Sequence, residues 1–151
     1  MITAKEYLLE IRRLKCRCLV LQMRCDELRT QAASVKAITY DRDRVQSSPR
    51  NQMEAIMIRL ADLEDKYART IAEYHAAIHI REKQIEGLQN PDYEEILRLR
   101  YIEDNKQGRQ MSLEEIAVRM HRSYPRVKHM HGEALEAFRK QYLTKRKLST
   151  Q

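Results

Sequence analysis

The chain is 151 residues long with only 3 glycines, 3 prolines and no tryptophan, which argues against a turn-rich sheet protein and for helices. Charged residues make up 34%, and the 29 basic against 22 acidic residues give a net charge of +7, which admits nucleic acid or an anionic surface as partner. No charged-then-apolar leader and no apolar run of ~18 residues occurs, so secretion and membrane spanning are not expected.

Thr3-Ala4-Lys5-Glu6 reads as a capping box that opens a helix. Apolar residues then recur at Tyr7, Ile11, Leu14, Cys18, Leu21, Cys25, Leu28, Ala32 and Val35, with intervals alternating four and three. That is a heptad seam. Leu8, Val20 and Met23 lie off it, so the helix offers apolar surface to more than one neighbour. Cys16, Cys18 and Cys25 all fall on this helix. Helical rise separates Cys18 from Cys25 by roughly 10 Å, too far for a bond between them, which implies a reducing compartment. Cys18 and Cys25 are expected as small core hydrophobes.

Residues 37–48 break the pattern, and Ser48-Pro49 reads as the start of a second helix. Its stripe is Met53, Ile56, Leu60, Leu63, Tyr67, Ile71, Tyr74, Ile78, Ile85 and Leu88, weakening near Arg81 and ending at Gly87 and Asn90-Pro91. A helix over residues 3–35 spans about 50 Å, whereas the extended linker reaches about 40 Å. The two helices are therefore expected antiparallel. Two helices alone bury little, so Ile11, Leu14, Leu21, Leu28, Ile56, Leu60 and Leu63 are candidates for self-association, most simply as a dimer.

Asn90-Pro91 caps a third helix carrying Ile96, Leu97, Tyr101 and Ile102, which the Gly108 region ends. Ser112-Leu113-Glu114-Glu115 is a second capping box, followed by Ile116, Ala117 and Met120. Ser123 caps the next helix, whose buried side is Val127, Met130, Ala134, Leu135 and Phe138. This is the layout of a helix-turn-helix, with Ala117 where the two helices cross. Two positions depart from the usual pattern: the turn position that usually holds glycine is His121, and the next, usually apolar, is Arg122. Histidine tolerates positive φ better than most residues, so the turn survives.

Charge is uneven along the chain. Residues 1–90 carry 16 basic and 13 acidic residues, and residues 92–115 carry 4 and 7. Residues 119–147 carry 9 and 2, a net of +7 in one stretch, which is the footprint of a DNA-contacting element. Tyr124, Arg126, Lys128 and His129 are placed to read base edges. Arg119, Arg122, Ser123, Arg139, Lys140, Lys145, Arg146 and Lys147 are placed to hold phosphates.

Leu99-Arg100-Tyr101-Ile102, Ser112-Leu113-Glu114-Glu115-Ile116-Ala117, Val127 and Ala134-Leu135 together resemble region four of bacterial sigma factors, which binds the promoter's upstream element. The whole chain resembles phage-encoded regulators of the ArpU/RinA type. The likeness rests on Thr3-Ala4-Lys5-Glu6-Tyr7-Leu8, on Asp43-Arg44-Val45-Gln46-Ser47-Ser48-Pro49 and on His131-Gly132-Glu133-Ala134-Leu135. The resemblance implies a phage or prophage protein of the bacterial cytoplasm that controls late transcription, with host RNA polymerase as a second partner. No segment resembles the sigma region that melts the promoter.

Catalysis and metal binding have little support. Asp41 and Asp43 lack a third ligand, Ser47 and Ser48 lack a histidine–acid context, and His129 and His131 point to different sides of a helix. No enzyme activity, metal or cofactor is expected. The expectation is an all-α chain: an antiparallel coiled-coil-like hairpin over residues 1–90, then a helix-turn-helix with a basic tail over 91–151. Its partners are double-stranded DNA and another copy of itself, with no membrane. The alternatives are a DNA-recognition protein of the small terminase kind, or a coiled-coil adaptor whose basic end binds acidic protein.

Overall fold

A computed structural model describes residues 1–41 and 48–144, and the side chains of 1–37 and 50–144. Five α-helices occur among the described residues: α1 (Ala4–Asp41), α2 (Ser48–Glu86), α3 (Pro91–Leu97), α4 (Leu113–Arg119) and α5 (Tyr124–Phe138). A π-helical turn, Arg98–Ile102, continues α3, and a second, Arg139–Leu143, continues α5. Two compact units result, one made of Met1–Arg13 with the chain from His75 onward, the other of Leu14–Tyr74.

The first capping box forms as the sequence indicates. The Thr3 amide donates to Glu6 Oε2 (2.9 Å), and the Glu6 amide donates to Thr3 Oγ1 (3.1 Å). The Thr3 amide, together with the Thr3 hydroxyl donating to Glu6 Oε2 (3.0 Å), holds the Glu6 carboxyl below its usual pKa. α1 runs to Asp41, past the break expected at residue 37. Once a helix exists, each added residue gains a bond at small entropic cost, and no glycine or proline stops the chain before Pro49. Asp43 lies outside the described residues.

In the unit Leu14–Tyr74, Cys25, Leu28 and Leu60 form a small core edged by Ile56 and Leu63. Arg29 Nη2 donates to Glu64 Oε1 across the pair of helices (2.8 Å). In the other unit the early residues of α1 meet the late residues of α2. The Tyr7 hydroxyl donates to Gln84 Oε1 (3.0 Å), and Arg81 Nη2 donates to Glu10 Oε2 (2.5 Å). In this unit the partner number falls as the α1 number rises, from Tyr7 with Gln84 to Glu10 with Arg81, so α1 and α2 run antiparallel as a hairpin.

The buried line of α2 differs from the expected stripe. Thr70, Ala77 and Arg81 are buried, whereas Ile71 and Ile78 are only partly so. The heptad spacing continues through small and polar residues that periodicity of apolar types does not see. Thr70 satisfies its hydroxyl on the Lys66 carbonyl (2.8 Å). Arg81 lies 4.0 Å over the Tyr7 ring and donates from Nε to the Tyr7 carbonyl (3.3 Å), so the buried cation has a ring face, a carbonyl and the Glu10 carboxylate as partners.

The core of the unit that contains α3–α5 combines Ile96, Leu97, Leu99, Tyr101, Ile116, Val127, Met130, Ala134 and Phe138 with Ala4 and Leu8 of α1 and Ile85 of α2. The hairpin's open end is thus part of the helix-turn-helix core. Compactness does not divide the chain at residue 90.

Helix α2 ends at Glu86, and the positive φ of the connection falls on Gln89 (+55°). Asn90 Oδ1 then accepts from the Asp92 and Tyr93 amides (3.1 and 3.3 Å) to start α3. Gly87 has a different reason. A Cβ there would collide with the Tyr142 hydroxyl, and Gln141 Nε2 donates to the Gly87 carbonyl (2.9 Å).

The third helix stops at Ile102, before the Gly108 region expected to end it, because the following chain is captured. Arg12 of α1 donates to the Glu103 carbonyl and the Asp104 carboxylate. Asp104 and Gln110 then pair as an isolated antiparallel bridge. Asn105 Oδ1 closes the loop between them on the Gln107 and Arg109 amides (3.0 and 2.9 Å).

Candidate nucleic-acid interface

The geometry from α4 to α5 is built by local hydrogen bonds. Ser112 Oγ accepts from the Glu115 amide (3.2 Å) and starts α4. The Glu115 carboxylate accepts from Asn105 Nδ2 (3.4 Å), which ties the first turn of α4 to the preceding loop. At its far end the Arg122 amide donates to the Ala117 carbonyl (3.0 Å) and the His121 amide to the Val118 carbonyl (3.2 Å). These two bonds form a Schellman motif. Its left-handed residue is His121, with φ +55°, where the sequence places the turn. Ser123 Oγ accepts from the Arg126 amide (3.4 Å), and Pro125 sits in the first turn of α5. Ile116, Ala117, Val127 and Met130 are buried and Met120 is partly buried, as the helix-turn-helix reading requires.

The outer face of α5 is defined by its buried one. Val127, Met130, Ala134 and Phe138 point to the core. At 3.6 residues per turn the line directly opposite carries Pro125, His129, Gly132 and Glu136. Lys128 flanks that line on one side, and Arg126 and Glu133 flank it on the other. Tyr124, Arg126, Lys128 and His129 are all exposed, so the four candidate base readers reach solvent from one helix.

Several cations meet carboxylates. Arg122 Nη2 lies 3.1 Å from Asp92 Oδ1, and Arg119 Nη2 lies 3.8 Å from Glu103 Oε2. Arg139 binds Glu136 through Nη2 (2.6 Å) and Nε (2.9 Å), and Lys140 Nζ lies 3.9 Å from the same carboxylate. Glu136 is accordingly held below its usual pKa, chiefly by Arg139. His129 Nε2 lies 2.8 Å from Glu133 Oε1, and the Tyr93 hydroxyl donates to Glu133 Oε2 (3.1 Å). Glu133 and Glu136 were not singled out from the sequence. Their i,i+4 and i,i+3 spacing to His129 and Arg139 is the signal that finds them. Lys145, Arg146 and Lys147 lie outside the described residues.

His131 is partly buried while His129 is exposed, as their two-residue spacing demands. The Tyr101 hydroxyl lies 2.9 Å from His131 Nε2. Burial, helped by the charges of Arg100 and Lys5, lowers the His131 pKa to about 4, and burial raises the Tyr101 pKa to about 12. Both groups are neutral near pH 7. Of the self-association candidates, Ile11, Leu21, Leu28 and Leu60 are buried and Leu14, Ile56 and Leu63 partly buried within the one chain. Cys18 and Cys25 are buried and free, and burial raises the Cys18 thiol pKa. No group of three or more histidine, cysteine or acidic side chains suited to a metal occurs among the described residues.

Residues 90–140 match the family model of sigma-70, region 4. The segment is a region 4-like helix-turn-helix, a DNA-binding and non-catalytic kind of domain. The match spans α3, α4, α5 and the loops between them, and it stops short of the hairpin. No curated protein and no solved structure matches the chain. No described helix is long and apolar enough to cross a membrane.

Proposed function

We propose that the protein is a sequence-specific transcription regulator of a phage or prophage, an activator of late genes that acts near a promoter. In this reading α5 enters the major groove. Tyr124, Arg126, Lys128 and His129 meet base edges, with Arg119, Arg122, Ser123, Arg139, Lys140 and the Lys145–Lys147 run on phosphates. The observation that carries it is the His121 turn, which presents α5 with Arg126 and Lys128 on opposite flanks of its outermost line, within the segment that matches sigma-70, region 4. Cations on both flanks suit a helix lying between two groove walls. The long hairpin supplies self-association, and host RNA polymerase is the second partner.

The test is a mobility-shift titration on a promoter fragment recovered by protection mapping. Replacing Arg126 or Lys128 with alanine costs about 1–3 kcal/mol of specific binding if the residue reads a base. Unchanged specific affinity in both variants rejects the assignment.

A further inference from the structure

Two of the three glycines have a reason inside the chain: Gly108 adopts φ +73°, and Gly87 makes room for Tyr142. Gly132 has neither. It sits mid-helix in the 15 residues of α5 with no positive φ, and a Cβ added there meets nothing within 4 Å. Glycine is the poorest helix former after proline, so at this open position alanine would serve the fold better.

What Gly132 creates is a shallow hollow on the outermost line of α5, lined also by Pro125, Lys128, His129, Glu133 and Glu136. We infer that Gly132 is the point of closest approach between α5 and the floor of the major groove, where a bare backbone lets the helix sit deeper. This inference rests on the reading of α5 as the DNA-facing helix. The lining selects the occupant. A phosphate would be repelled by Glu133 and Glu136. Base-pair edges are uncharged and present donors beside acceptors, which suits a hollow with the Lys128 ammonium on one flank and the Glu133 carboxylate, already joined to His129 and Tyr93, on the other. A helix with side chains is about 10–12 Å across, close to the groove's own width of about 12 Å, so one missing side chain on the leading line decides how deep it reaches.

The test uses the full chain and a duplex that the wild-type protein selects from a random pool. Gly132→Ala and Gly132→Gln are compared with Lys128→Ala by thermal denaturation and by fluorescence anisotropy. Gly132→Ala raises Tm by about 2–4 °C through helix propensity. The same variant weakens binding to the selected duplex roughly tenfold, and Gly132→Gln weakens it further. A residue that serves only the fold would not raise stability and lower affinity together. If Gly132→Ala is more stable and binds unchanged, the inference falls while the reading of α5 stands, provided Lys128→Ala weakens binding. If the wild-type protein selects no duplex from the pool, both fall.

Discussion

His131 stacks on Tyr101 with ring centroids 5.8 Å apart, and its pKa is lowered to about 4 mainly by burial. A histidine whose folded pKa lies below its unfolded value of about 6.5 binds fewer protons in the native state. Its contribution is therefore fully present above pH 6.5 and is lost as pH falls toward 4, because the unfolded chain takes up a proton that the folded one refuses. Thermal unfolding followed by circular dichroism should show Tm dropping through that window, and His131→Gln should flatten the drop. An identical pH profile for the variant would remove His131 from the account. Gly87 makes a second residue-scale case. The Tyr142 ring is fixed against Phe138 (centroids 5.1 Å apart), and its hydroxyl accepts from Gln141 Nε2 (3.1 Å), so it cannot swing away from a new methyl group without loss. Gly87→Ala should cost about 1–3 kcal/mol by overpacking. Adding Tyr142→Phe should recover part of that, and strictly additive costs in denaturant titrations would argue against the contact.

Between the elements, the dependence of the helix-turn-helix on α1 is the least expected relation. Leu8 and Ala4 belong to the same core as Ile96, Val127 and Phe138, and the Tyr7 ring lies 5.9 Å from that of Phe138. Leu8→Ala should destabilise the protein by about 2–5 kcal/mol. Gln22→Ala, at an exposed side chain on the same helix, should change stability by less than about 0.5 kcal/mol. Equal effects in denaturant unfolding would contradict the placement of α1. The sequence made legible whatever is written locally: the Thr3–Glu6 box, the Asn90, Ser112 and Ser123 caps, and a left-handed residue at His121. It did not show that Leu8, off the seam, shares a core with α5, because that relation spans most of the chain and no short-range period encodes it. Nor did it show Arg81 as a buried seam residue. A cation there reads as a break in the apolar stripe until Glu10 and the Tyr7 ring are seen beside it.

At the scale of the whole molecule, self-association and the electrostatic field remain to be set against each other. The heptad seam is consumed inside the chain, whereas Leu19, Val20, Met23, Met57 and Ile58 of the unit Leu14–Tyr74 are each about half exposed or more. If the hairpin self-associates, light scattering should give a mass above that of one chain, and Val20→Lys combined with Met23→Lys should reduce it without loss of helix. An unmodified protein that is monomeric at tens of micromolar would end that reading. The field is the sharper test. The formal +7 overstates the charge offered to DNA, since Arg119, Arg122, Arg139 and Lys140 each lie within 4 Å of a carboxylate. If these cations hold phosphates, as proposed, binding exchanges those carboxylates for phosphates. Glu136→Gln releases Arg139 and Lys140 together, so log affinity should fall more steeply with log salt, by about one unit of slope for each phosphate gained. Random and specific duplexes should gain affinity almost equally, because phosphates carry no sequence information. Arg126→Ala should do the opposite, compressing the ratio of specific to random binding with little change of slope beyond its own charge. If Glu136→Gln alters the ratio and leaves the slope unchanged, Arg139 and Lys140 do not face the DNA backbone, and the end of α5 must point elsewhere.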